Sequence, residues 1–189
     1  MTTTGTPPSA RETELLERAY AYSLEHGLAD LSLRPLATAI GSSPRVLLFL
    51  FGSKDGLIRA LLNRARADEL ALLDRIPTQY DEPGLEVVAR ELWKWLSAPE
   101  RRALMQLWVE AYGRSLVDPA GPWADYARTS VEVWLELLAK AQPAAVRRTA
   151  RGRARRTAVL AMLRGGLLDL LATGDLKRTT AAVESLLHE

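Results

Sequence analysis

Apolar positions along this chain recur at helical spacing and never alternate. Ala, Leu, Glu and Arg dominate, while Val, Ile and Thr do not gather into alternating runs, so every segment reads as helix. Nine helices are predicted from the residues. The first runs from Ser9 or Ala10 to His26. Ser9 is its cap, Glu12 stands where a capping box needs it, and Gly27 stops it. The second begins after Ser32, tolerates Pro35 in its first turn and ends at Gly41. The third starts at Ser43 or Pro44, with proline in the first helical position, and ends near Gly52. Ser53 caps a fourth that reaches about Ile76, where Pro77 breaks the chain. Longer helices follow over 83–97, 99–117 and 123–141, the last two separated by the loop "VDPAGP". Pro143 precedes one long helix, or a ragged start and a helix, ending at Gly174. Asp175 caps a final helix to Leu187.

Two of these helices carry more apolar surface than one face can hold. Val159, Leu160, Met162, Leu163, Leu167, Leu168, Leu170 and Leu171 do not fall on a single stripe, so their helix is buried on several sides. The last helix adds Ala181, Ala182, Val183, Leu186 and Leu187. The surplus is expected to form a homodimer interface through Leu160, Leu163, Leu167, Leu171, Val183 and Leu186. The competing reading is a central core helix in a single chain.

Composition narrows the chemistry. The chain has 189 residues, 48% of them hydrophobic and 25% charged, which is ordinary for a globular protein. It has no cysteine, and its two histidines, His26 and His188, stand at opposite ends, so no metal site is expected. There is no GxxxxGK[ST] loop and no GxSxG elbow; an enzyme is not expected, nor any cofactor. No apolar run approaches the roughly 20 residues that span a bilayer. The start "MTTTGTPPSA" has neither a basic region nor an apolar stretch, so it reads as a flexible tail, and the protein is expected in the cytoplasm.

Helices two and three are joined by a turn of glycine and serine, the layout of a helix-turn-helix. Spacing alone is a weak signal. The wider stretch "LLERAYAYSLEHGLADLSLRPLATAIGSSPRVLLFLFGSKDGLIRALL" is more specific, and resembles the DNA-binding domain of TetR-family transcriptional regulators. The matching residues are Leu15, Leu16, Ala19, Gly27, Leu31 to Arg34, Ala37, Gly41, Ser43, Leu47, Phe51, Ser53 to Asp55 and Leu57. The resemblance covers about residues 11–62; beyond it, only the helix count and "LLDLLATGD" look like the family.

The resemblance implies an all-α fold: a helix-turn-helix head at residues 11–56 after a tail at 1–10, and a ligand-binding, dimerising body at 57–189. It implies a DNA-binding regulator of the repressor type, released from a double-stranded operator by a small-molecule effector. The alternative is a helical interaction module of the same fold with weak or lost DNA binding. That alternative rests on Leu48 and Leu50, which stand where the family usually has an aromatic and a polar residue that touch phosphates.

The remaining DNA-binding candidates are Arg34, Ser42, Ser43, Pro44, Arg45 and Lys54. Arg34 can reach a phosphate. Lys54 can share one with the N-terminus of helix four. Arg45 can grip guanine O6 and N7, or serve as a phosphate contact or solvated charge. Over residues 1–60 six basic side chains balance six acidic ones, so binding relies on placement and on two heads rather than bulk charge. The densest basic run, Arg147 to Arg156, is either a nucleic-acid patch or the solvated start of a helix. All five tryptophans follow residue 75. Trp108, Tyr112, Trp123 and Tyr126 are the candidate ligand-binding residues, although aromatics at helical spacing also serve as plain core. Glu110 is a nearby group for a cationic ligand.

Overall fold

The computed structural model describes residues 9–28, 31–73, 84–118 and 120–187, with the helical backbone alone over 68–73. Among them are ten α-helices: α1 (Ala10–His26), α2 (Leu33–Ala39), α3 (Pro44–Phe51), α4 (Lys54–Leu73), α5 (Leu85–Leu96), α6 (Arg102–Val117), α7 (Tyr126–Lys140), α8 (Ala144–Arg147), α9 (Ala150–Thr173) and α10 (Leu176–Leu187). A short 3-10 turn over Pro99–Arg101 leads into α6. The all-α expectation holds. The stretch after Pro143 has the ragged start, a single turn followed by α9. The expected end of the fourth helix at Ile76 and start of the fifth at Pro83 lie outside the described residues.

α7 begins at Tyr126 rather than Trp123 because Asp125 is left-handed, at φ 63°, and the residues before it form turns. A helix start without a side-chain cap has orphan N–H groups. Here the Ser115 hydroxyl, reaching across from α6, accepts from the N–H of Ala127 at 3.1 Å.

Local chemistry fixes the first four helices. Ser9 accepts from the N–H of Glu12, Ser43 from Val46 and Ser53 from Gly56, at 3.2, 3.3 and 2.9 Å. α2 ends in a Schellman turn: Ser42 N–H donates to Ala37 O and Gly41 N–H to Thr38 O, with Gly41 at φ 68°. Arg18 of α1 donates to the Ile40 carbonyl at 3.2 Å and so ties α1 to the same turn. Leu15, Leu36, Leu47, Leu57 and Leu61 are almost completely buried and join α1, α2, α3 and the first half of α4. Gly56 permits the tight α3–α4 corner, because a Cβ there would collide with the Phe51 carbonyl oxygen.

The other helices pack around α9, which touches α5, α6, α7, α8 and α10. Here the structure corrects the interface expectation. Leu160, Leu163, Leu167 and Val183 are only 4%, 0%, 2% and 2% exposed within the chain itself, so no partner can reach them. Of the six residues expected at an interface, Leu171 is half-buried and Leu186 is exposed. Most of the leucines on α9 are absorbed by its own neighbours, whereas Leu168 stays 50% exposed. Trp93 of α5 donates its indole N–H to Thr180 of α10 at 3.0 Å. Arg178 grips Asp169 with two bonds, at 2.8 and 2.6 Å, across the α9–α10 corner. Hydrogen bonds from Arg178, followed by its charge, hold the Asp169 carboxyl below the ordinary range. That tie is complete above the ordinary carboxylate pKa and is lost as pH falls through the lowered one.

Leu163→Ala should cost about 2–5 kcal/mol of folding stability in urea unfolding, as expected for a leucine with no exposed surface. Gly56→Ala should lower stability by about 1–3 kcal/mol in the same assay, in spite of alanine's better helix propensity, because the Phe51 carbonyl must move.

Candidate functional site

The helix-turn-helix candidates gather at the α2–α3–α4 corner, but not all are available. Ser43 caps α3 by accepting from the Val46 N–H, and its exposed hydroxyl keeps its own O–H to donate. Ser42 is half-buried, and its Oγ is buried with no hydrogen-bond partner. Pro44 is half-buried in the first turn of α3. Arg34, Arg45 and Lys54 are exposed, Arg34 in the first turn of α2 and Lys54 at the start of α4.

On α3, Leu47 is buried and Leu50 and Phe51 are half-buried against the core. The opposite face carries Arg45 and, four residues on, Phe49, which is 85% exposed. Val46 and Leu48 flank them at 38% and 41%. Residues four apart share a helix face. The outward face of this short helix is therefore one arginine beside an exposed phenylalanine, bordered by aliphatic groups. Phe49 is the residue that sequence reasoning missed. Its four-residue spacing from Arg45, with Leu47 as the buried anchor, was the available signal.

A second feature lies in the body. Between α4, α5, α6, α7 and α9 there is a cavity of about 30 Å³. Trp95, Trp108, Tyr126 and Trp134 form its aromatic walls, and Leu104, Met105, Leu163 and Leu167 its aliphatic ones. Ala65 brings α4 into the lining. Of the expected ligand residues, Trp108 and Tyr126 are wall residues. Tyr112 packs on Trp108 with ring centres 5.1 Å apart and is not itself in the lining. Trp123 is buried in the α6–α7 connection, away from the cavity. Trp134 was legible on α7, where Tyr126, Ser130 and Trp134 recur at four-residue steps; Trp95 had no comparable mark.

Arg164 is the charged residue in this lining. Its guanidinium lies 5.4 Å over Trp108 and 4.9 Å over Tyr112, and donates to the Tyr112 and Ser130 hydroxyls at 3.0 and 3.2 Å. Small-molecule sites generally need about 300–1,000 Å³. The described cavity has room for little more than a water molecule.

Glu110, one turn beyond the cavity on α6, turns toward the head. Its Oε2 accepts from the N–H of Leu28, just past α1, at 2.9 Å, and its Oε1 is buried with no hydrogen-bond partner. α4 makes the other connection: Arg64 donates to Glu17 of α1 at 2.6 Å and lies 4.8 Å over the Tyr20 ring. Both helices that meet α1 in this way also line the cavity.

The basic run near residue 150 is largely structural. Arg147 donates to the carbonyls of Lys140 and Gln142, Arg153 to that of Arg148, and Arg156 to that of Arg147 and to the Gln142 side chain. These arginines satisfy carbonyl groups at the α7–α8–α9 junction. Among the described residues no helix is long and apolar enough to cross a membrane.

No family model and no curated protein matches the sequence significantly. Solved structures match its shape along nearly its whole length. A TetR transcription regulator from Haloarcula marismortui superposes with a TM-score of 0.73 at 17% identity, over 93% of each chain. A transcriptional regulator from Rhodococcus sp. Rha1 gives 0.73 at 19% identity, over 94% of each. The multidrug binding protein EbrR, complexed with imidazole, gives 0.69 at 22% identity, over 100% of this chain and 96% of that one. The exposed α3 face, the shared α4 and the bundle wrapped on α9 accordingly make up the fold of the TetR-family transcriptional regulators.

Proposed function

We propose that this protein is a DNA-binding transcriptional regulator of the repressor type, working in the cytoplasm as a homodimer and released from its operator by a small, mainly apolar ligand. The observation that carries the reading is the α2–α3–α4 corner. A turn locked by Gly41 and Arg18 presents the Arg45–Phe49 face, and exposed Arg34 and Lys54 flank it. Arg45 suits a guanine edge, and Phe49 and Val46 suit thymine methyl groups. Arg34 and Lys54 suit phosphates on either side.

Two heads must meet successive major grooves, about 34–36 Å apart. The dimer surface that remains once the buried leucines are removed is the outer stripe of α9 and α10. Ala161, Gly165, Leu168 and Ala172 are exposed there at steps of three and four residues, and Leu186 is 47% exposed on α10. Occupation of the cavity would push α6 and α4 apart. Both grip α1, so the heads would leave the spacing at which they fit DNA together.

One observation favours the second reading, an interaction module with little DNA affinity. Three of the four outward residues of α3 are apolar, and Phe49 is almost fully exposed. Such a face also suits a protein partner.

A gel-shift series on the DNA flanking the protein's own gene separates the two. Lys54→Ala should weaken binding to every sequence and flatten the log–log salt slope by about one. Arg45→Ala should cost about 1–3 kcal/mol and relax a single base preference. Failure of the wild type to prefer any sequence at low salt would overturn the regulator reading. For the dimer, Leu168→Glu should give a folded monomer in sedimentation with little loss of melting temperature. A wild type that already sediments as a monomer at micromolar concentration would defeat the expected interface. Glu110→Ala should reduce the ligand's effect on DNA affinity by about 0.5–2 kcal/mol, read by comparing operator titrations with and without ligand.

A further inference from the structure

On the other side of Tyr126 a wider cleft of about 190 Å³ opens between α4 and the loop that precedes α7. Arg59, Asn63 and Arg66 line it from α4. Their spacing of four and three residues puts them on one helix face. The Arg66 guanidinium lies 5.5 Å over the Tyr126 ring, and its Nη2 is buried with no hydrogen-bond partner. A buried guanidinium N–H without an acceptor is costly, and an arriving anion relieves that cost. Among the described lining residues the one acid is Asp125, and it is already paired with Arg128 at 3.0 Å. The cleft therefore presents positive charge. Asp125 is also the one described non-glycine residue with positive φ, at 63°, so strain sits in the loop beside Tyr126. Tyr126 belongs to the walls of both spaces, the polar cleft and the tryptophan cavity.

We propose that cleft and cavity form one two-part site for an amphipathic organic anion. Its carboxylate is held by Arg66 and Arg59, and its apolar tail passes Tyr126 into the tryptophan-lined cavity. This inference deepens the ligand-relieved reading above and rests on it. Arg66 is the better anchor than Arg164, whose guanidinium is engaged with the Tyr112 and Ser130 hydroxyls and with two ring faces. A carboxylate at the mouth also keeps part of its hydration, whereas one drawn to the far end of the cavity loses it all. Arginine's planar fork suits a carboxylate in two-point contact. Pairing with the anion draws Arg66 off the Tyr126 ring, the wall residue that the tail must pass to reach the cavity.

The test is a tryptophan-fluorescence titration of the full chain with sodium decanoate and with decanol, its neutral homologue of equal tail. Trp95, Trp108 and Trp134 in the cavity wall report the tail. Wild type should bind decanoate about tenfold or more tighter than decanol, the scale of one charge-assisted contact. Arg66→Gln should remove that preference by weakening decanoate alone, and Arg66→Lys should restore part of it. Tyr126→Ala should tighten both compounds. Equal binding of the two by wild type, no response to either, or a preference that survives Arg66→Gln but disappears in Arg164→Gln would each overturn the proposal. Melting curves of every variant guard against misfolding, and Arg59→Gln is the second variant if Arg66→Gln does not fold. A parallel operator titration keeps the two readings apart. Decanol releasing DNA as well as decanoate does overturns the anion site and leaves the regulator. A decanoate preference in a chain that binds no DNA supports the site and removes the regulator.

Discussion

One helix has to satisfy two environments at once, and the rest of the molecule is arranged around that requirement. α4 buries Leu57 and Leu61 completely in the head core, yet Ala65 lines the body cavity and Arg66 reaches the neighbouring cleft. A helix face is read every three or four residues. Different faces of α4 therefore meet α1, the cavity and the cleft. The hydrogen bond from Arg64 to Glu17 fixes the rotation of α4 about its axis relative to α1. Neither the head nor the body can be rearranged without moving a residue that the other uses.

The head was legible in the sequence because its determinants are local. Ser9, Ser43 and Ser53 each accept a hydrogen bond from three residues on, and Gly41 adopts the positive φ that its turn demands. Nothing distant is needed to read such signals. The body was legible only as a set of helices. Leucines on every side of α9 gave the right inference, burial on several sides, but periodicity does not say whether the burying surface belongs to the same chain or to another. The answer came from α5, α7 and α10 closing on it. The aromatic wall was legible only in part for the same reason: Trp108 and Tyr126 line the cavity and Trp123 does not. Trp123 and Trp95 look alike in sequence, yet the break at Asp125 leaves Trp123 in a turn, while α5 carries Trp95 to the cavity. The Arg147–Arg156 run was ambiguous until the unpaired carbonyls of the α7–α8–α9 junction were in view.

A cavity of about 30 Å³ in an all-helical body is close to a filled core. Core side chains pack at crystal-like density, so the proposed effector could not enter it as a key enters a lock. It would have to supply the free energy for moving wall residues such as Trp108 and Tyr126. That cost lowers the apparent affinity by the fraction of molecules already open. It would also turn binding into displacement of α4 and α6, since a roomy preformed pocket could fill without moving either.

The contact between Glu110 and Leu28 has a consequence for how such a protein is titrated inside a cell. In the regulator proposed above, whatever free energy an effector spent in disturbing that contact, DNA would spend in the opposite direction, because linkage between two binding events is reciprocal. A molecule seated on an operator would then be a poorer receptor than the same molecule free in solution, by the same factor as the effector weakened DNA binding. A dose–response curve measured on free protein would overstate sensitivity, and the threshold in vivo would rise with the fraction of protein held on DNA. Set-point and coupling strength would in this sense be one quantity, and a half-satisfied carboxylate on α6, with Oε2 bound and Oε1 without a partner, is a place where a single substitution would retune both.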